Sequence, residues 1–364
     1  MSPLALYHSY CQNGKITLDA AQEQILVSLD KLYHEMLTKQ DYLFLAKSSL
    51  FRSLGLRQVP VKGLYLWGAV GRGKTFLMDL FYQTIPFEQK TRLHFHRFMQ
   101  FVHQALTKHQ GEASPLKIIA SEFASRSWVL CFDEFYVKDI ADAMILAELF
   151  EHLFHQGVTL LATSNLAPED LYHNGLQREK FLPTIALIHQ HTQVVEIKGS
   201  EDYRLKHLAH SSLYHYPLDA TSQEKMLRYF KELAPFESIE NKMLTINDRE
   251  ISTLKWAQSV VWFSFDVLCK TARSTSDYIE IARCFKTVFI SGVQALTEQM
   301  EDVALRFIAL VDEFYERHVT LIISAEVPLA NLYQGKRHEF EFKRTISRLT
   351  EMQTLAYMAK PHLP

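Results

Sequence analysis

The chain has 364 residues, of which 48% are hydrophobic and 22% charged. That length allows two or three compact units and that composition excludes disorder as the default reading. A formal net charge of −2 excludes a strongly basic surface that coats nucleic acid, although not a local basic patch.

Residues 17–50 predict a helix that Asp19 caps, in which Ile25, Leu26, Leu29, Leu32 and Tyr33 recur at helical spacing. From residue 61 short apolar runs alternate with amphipathic segments. A strand at 64–67 is followed by a glycine-rich turn and a helix bearing Phe76, Leu77, Leu80 and Phe81. A strand at 92–96 and a helix at 97–109 come next, then an apolar run at 129–132 that ends in Asp133 and Glu134. A helix at 140–154, a strand at 158–162, a helix at 177–189 and a strand at 193–197 complete the series. Such alternation implies a parallel sheet covered on both faces. Beyond 206 a polar stretch with a helix at 223–233 precedes a strand at 287–290, a helix at 303–317 and a strand at 319–324. The expected organisation is an N-terminal helical segment (1–60), an α/β core (61–205) and a C-terminal α/β domain (206–364). GVTLLATSNLAPEDLYHNG at 157–175 is echoed by HVTLIISAEVPLANLYQG at 318–335. The echo reads either as a degenerate half-repeat, with Ser291 and Gly292 where the first copy has Asp133 and Glu134, or as two similar strand–helix–strand units.

GAVGRGKT matches the phosphate-loop pattern, and it nominates Gly68, Ala69, Val70, Gly71, Arg72, Gly73, Lys74 and Thr75 as nucleotide-binding residues. Glycines allow positive φ and a close approach of the backbone to phosphate, so that successive N–H groups and a helix N-terminus face the anion. Lys74 adds a point charge for the β- and γ-phosphates, and Thr75 a hydroxyl for Mg²⁺. The chain has only 12 glycines, yet Gly63, Gly68, Gly71 and Gly73 cluster here between strand and helix, which disfavours a chance match.

An apolar strand ending in an acidic pair, VLCFDE, supplies the complement. Asp133 is expected to hold Mg²⁺ directly or through water, and Glu134 to orient the attacking water. Asp312 and Glu313, in a similar DEFY, fall inside a predicted helix and read as a solvated face. Asn165 ends the next strand, where a polar group can hold water near the γ-phosphate, although Asn is also common in turns. Arg178 reads either as an arginine finger for a neighbouring subunit or as a helical Arg paired with Glu179 or Glu169. His94, His96 and His103 lack companion ligands at metal spacing and read as hydrogen-bonded structural histidines.

Cys11, Cys131, Cys269 and Cys284 are widely spaced and form no C-x-x-C pair, so neither a disulfide framework nor a zinc site is expected. The N-terminal residues carry no signal or transit pattern, and no run reaches the roughly 18 apolar residues that span a bilayer. A cytoplasmic location is the expectation, with any membrane association peripheral.

GLYLWGAVGRGKTFLMDLF, RLHFHRFM, VLCFDEFYVKDIADAMIL, TLLATSN, NGLQREKFLPTI and DYRL together resemble the ZapE cell-division ATPases of the AAA+ superfamily, a family with mitochondrial relatives. DYIEIA, TVFISGV, RFIALVDEFYERHV and FKRTISRLTEMQ extend the likeness nearly end to end. The resemblance implies a P-loop NTPase core of AAA+ type and hydrolysis of Mg²⁺-ATP. It further implies homo-oligomeric assembly and, in bacteria, action on the tubulin-like FtsZ at the inner membrane. It makes Asn165 a sensor residue and Arg178 a trans-acting finger, and it leaves Arg204, Arg306, Arg344 and Arg348 open for a second sensor. Gln294 departs from the proline common after FISGV, away from the nucleotide. Gln22 is open to two readings, a contact to adenine or a surface helix position. A nucleotide-gated switch or loader with slow hydrolysis is the main rival, and a P-loop kinase the weaker one, since a kinase has no use for a water-orienting Glu.

Overall fold

The computed structural model describes residues 1–14, 16–46, 61–69, 71–198, 212–234, 238–257 and 259–363. Val70 and Arg204 therefore lie outside the described residues. The chain divides into two compact units, Met1–Ser200 and Glu201–Pro364.

The first unit opens with helices α1 (Pro3–Gln12) and α2 (Ala20–Ala46). Asp19 accepts from the amides of Ala21 and Gln22, which stops α2 at its N-terminal end. Ile25, Leu26, Leu29, Leu32 and Tyr33 are buried. There follow β1 (Gly63–Trp67), α3 (Lys74–Thr84), β2 (Lys90–His94), α4 (Phe95–Lys108), α5 (Pro115–Arg126), β3 (Val129–Asp133), α6 (Ile140–His155), β4 (Thr159–Ser164), α7 (Leu182–His191) and β5 (Thr192–Glu196).

The five strands form one sheet in the order β2-β3-β4-β1-β5, and every neighbouring pair is parallel. Burial on both faces explains the apolar run at the start of β3 and the Leu160–Ala162 run within β4, and all residues of both strands are buried. An aromatic core lies under the sheet, with ring centroids 4.4 Å apart for Phe95–Phe135 and 4.6 Å for Phe98–Phe132.

The second unit contains β6 (Tyr214–His215), α8 (Ala220–Leu233), β7 (Ile239–Glu240), β8 (Met243–Ile246), β9 (Arg249–Ser252), β10 (Lys255–Ala257), β11 (Val260–Ser264), α9 (Thr275–Cys284), β12 (Thr287–Val293), α10 (Glu301–Glu316), β13 (Thr320–Ala325), α11 (Glu339–Met352) and α12 (Leu355–Met358). Its main sheet runs β6-β13-β12-β11-β10-β7, parallel from β6 to β11 and antiparallel at the β10 and β7 edge, while β8 and β9 form a separate hairpin. Phe307, Leu310, Val311 and Phe314 of α10 pack on Val288, Ile290, Leu321 and Ile323 of the central strands.

Two local expectations are corrected. Helix α4 begins at Phe95, so His96 belongs to the helix and not to the strand that ends at His94. Arg178 lies in a 3₁₀ turn (Arg178–Lys180), because α7 starts only at Leu182, where Pro183 fits the first helical turn and could not stand further inside. Strands β7 to β11 and helices α1, α5, α9 and α11 go beyond the elements read from the sequence; several of these strands have four residues or fewer.

Candidate active site

The sheet order places three loops side by side. The phosphate loop follows β1, Asn165 follows β4 and Glu134 follows β3, and these are adjacent parallel strands. Ligands of open α/β sheets bind at this carboxyl edge.

In the loop, Gly71 and Gly73 have φ of 80° and 81°. A Cβ on Gly73 would come 2.6 Å from Gln22 Nε2. Gly73 then precedes the first residue of α3, Lys74, so the helix N-terminus opens onto the loop. The Lys74 ammonium donates to the carbonyls of Gly68 (2.7 Å) and Ala69 (2.8 Å), folded over the loop it belongs to. Thr75 is half-buried in the first turn of α3.

Gln22 is buried, with its side chain end close to Gly73, so it is not a surface residue. The reason is tertiary: Tyr7 of α1 packs on Phe76 of α3 with ring centroids 6.1 Å apart, and α2 also lies against α3.

Glu134 has φ of 53°, a left-handed conformation uncommon outside glycine. Its N–H donates to Thr163 Oγ1 at 3.3 Å; next to it, the Phe135 N–H donates to the Thr163 carbonyl at 2.7 Å. Ser164 Oγ donates to the Phe135 carbonyl at 2.7 Å. The turn after β3 is thus pinned to β4, and the strained position is the one the sequence nominates for water activation. Asn165 is exposed one residue beyond β4.

Asp133 is buried and gripped by Arg92 of β2, with Nε to Oδ2 at 2.6 Å and Nη2 to Oδ1 at 3.1 Å. Arg92 Nη1 also bonds Asp79 of α3. Burial works against the Arg92 charge, but the Asp133 and Asp79 carboxylates outweigh it and hold its pKa above the usual value. Burial pushes Asp79 up to about 6, with the Asp133 carboxylate adding to the rise and Arg92 opposing it. One guanidinium between two carboxylates cannot satisfy both in full.

His94 pairs in register with Asp133, and its Nδ1 is buried without a hydrogen-bond partner among the described residues. Burial lowers its pKa despite the nearby Asp133 and Glu134 carboxylates. His103 bonds Asp142 at 2.6 Å.

Arg178 donates to the carbonyls of Leu171 and Glu169, not to the Glu179 or Glu169 carboxylates that the sequence offered. Of the other arginines, Arg306 donates to the Cys269 carbonyl at 2.6 Å, and Arg344 and Arg348 each bond Asp312 at 2.6 Å. Asp312 is therefore a clamp between α10 and α11 and not a solvated face. The sequence also missed Asp79 and Arg92, although a carboxylate within the apolar run FLMDLF is itself a signal.

Thr75 and Asp133 offer the hard oxygen donors that suit Mg²⁺, so the residues present fit that ion. Both Asp133 oxygens are already bonded to Arg92.

A parallel sheet with a phosphate loop after its first strand and an acidic pair at the end of β3 defines a phosphate-loop nucleoside triphosphatase. The AFG1-like ATPase family model matches residues 1–361. The chain is 45% identical over 371 residues to the cell division protein ZapE of Escherichia coli K12, covering all of this chain and 99% of that protein. It is 36% identical over 344 residues to lactation elevated protein 1 homolog B of Danio rerio, covering 82% of this chain and 68% of that protein. Among solved structures, AMPPCP-bound DnaA from Aquifex aeolicus aligns with a TM-score of 0.35 and 13% identity over 60% of each chain. The chain belongs to the AFG1-like ATPase family and is an ATP hydrolase.

Proposed function

We propose that the protein is an AAA+ ATPase that hydrolyses Mg²⁺-ATP in a homo-oligomer and acts in bacterial cell division on FtsZ assemblies, from the cytoplasmic side of the inner membrane. The observation that carries the chemistry is the alignment of the phosphate loop, Asn165 and Glu134 on three adjacent strand ends. Full-length similarity to ZapE supports the division role, and the family resemblance supports FtsZ as partner. Among the described residues no helix is long and apolar enough to cross a membrane, so membrane contact in this reading is peripheral.

In this reading the backbone of residues 68–75 cradles the phosphates. Lys74 leaves the Gly68 and Ala69 carbonyls for the β- and γ-phosphates. Thr75, and Asp133 directly or through water, would hold Mg²⁺, which when bound would neutralise charge developing on the phosphoryl oxygens. Glu134 orients the attacking water and takes up its proton, and Asn165 holds that water toward the γ-phosphate. Arg178 exchanges its own-chain carbonyls for the nucleotide of a neighbouring copy. Helix α2 braces the loop through Gln22, and the second compact unit forms a separate α/β domain.

Glu134→Gln is the direct test: it keeps ATP affinity and lowers turnover by about 10²–10⁴. Wild-type turnover in that variant rejects the water-orienting role. ATPase rate against protein concentration, with mass measured beside it, tests the shared site. Mixing Arg178→Ala with Lys74→Ala restores activity only if the finger acts in trans. Co-sedimentation with FtsZ polymers, with and without ATP, tests the partner.

A further inference from the structure

We propose that Arg92 is a positioning residue for ATP hydrolysis: by holding both oxygens of Asp133 and the carboxylate of Asp79, it makes Asp133 meet the nucleotide-bound cation through water and not directly. The proposal rests on the reading of Asp133 as a partner of that cation.

Three observations carry it. The Arg92 fork spans Asp133, with Nε to Oδ2 at 2.6 Å and Nη2 to Oδ1 at 3.1 Å, and their side chains are only 3% and 4% exposed. Direct ligation would have to displace one arm of a buried pair. The third nitrogen, Nη1, bonds Asp79, which follows Thr75 by one helical turn on α3 and shares its face. One side chain therefore ties the helix of Lys74 and Thr75 to the strand of Asp133. Finally, one guanidinium against two carboxylates leaves a net negative charge, which attracts a divalent cation without requiring a bare carboxylate.

Lysine keeps the charge but is a point donor that cannot span both Asp133 oxygens and Asp79 together. The test uses the full chain as wild type, Arg92→Lys, Arg92→Gln and Asp133→Asn. A methylanthraniloyl derivative of ATP reports affinity in EDTA and across a Mg²⁺ titration. Electron spin resonance of the Mn²⁺-nucleotide complex counts metal-bound waters.

Arg92→Lys should leave metal-free nucleotide affinity within about twofold while raising the Mg²⁺ needed for half-maximal turnover by about 10–100-fold. The bound-water count should be equal in wild type and Asp133→Asn, and lower in Arg92→Gln, where the released carboxylate binds directly. One water fewer in wild type than in Asp133→Asn overturns the proposal. So does an unchanged Mg²⁺ dependence in both Arg92 variants. If Asp133→Asn itself leaves Mg²⁺ dependence unchanged, the underlying metal reading fails instead. Should both Arg92 variants fail to fold, one water fewer in wild type than in Asp133→Asn still overturns the proposal.

Discussion

The segments β3–α6–β4 and β12–α10–β13 are built alike, but only the first ends its leading strand in an acidic pair. Both helices have 16 residues, and both β4 and β13 have six, all buried. After β3, Glu134 has φ of 53° and its N–H meets Thr163 Oγ1 at 3.3 Å. In β12, Gly292 has φ of 79° and its N–H meets Ser324 Oγ at 3.4 Å. A 3₁₀ turn follows each second strand, Pro168–Asp170 in one and Leu329–Asn331 in the other. A Cβ on Gly175 would strike Tyr172, and one on Gly335 would strike Tyr333. The backbone solution is shared, but Ser291 and Gly292 stand where the first segment has its acids, and no second phosphate-loop pattern precedes them. Scaffold and site are separable, and function belongs to the site.

The largest expected effect is on binding. Lys74→Ala weakens ATP affinity by more than about 100-fold, near 2.7 kcal/mol, as read by nucleotide titration. Adding Ser291→Asp and Gly292→Glu to that variant restores neither binding nor turnover; any recovered activity would break the contrast between the two segments.

Next comes a change confined to the second unit. Asp312→Ala leaves Arg344 and Arg348 without their shared carboxylate. The three side chains are partly exposed, so about 1–2 kcal/mol of stability is lost, seen as a lower melting temperature. Turnover per folded molecule stays at the wild-type level, and a large fall in it would give Asp312 a role the contrast denies.

The smallest effect is one of pH on the first unit. Lys39 donates to the Gly157 carbonyl, and burial lowers its pKa to about 8. Between that value and the ordinary one near 10.5 the unfolded chain binds the extra proton, so this residue makes stability rise with pH across that window. Lys39→Met flattens the rise in denaturation midpoints measured from pH 8 to 10, and an unchanged slope removes Lys39 as its source.

The sequence by itself determined the parallel sheet of the first unit, the phosphate loop and the acidic strand end. These are local: apolar runs buried on both faces, glycines at positive φ and a helix starting at Lys74 are each written within a few consecutive residues. Only the tertiary structure decided that Gln22 lies against Gly73, that Arg92 grips Asp79 and Asp133, that Arg178 is held by the carbonyls of Glu169 and Leu171, and that Asp312 joins α10 to α11. Buried polar groups must find partners wherever the packed chain supplies them, and most of these partners come from other elements. Local pattern therefore marks where the chemistry belongs, and packing chooses what holds it in place.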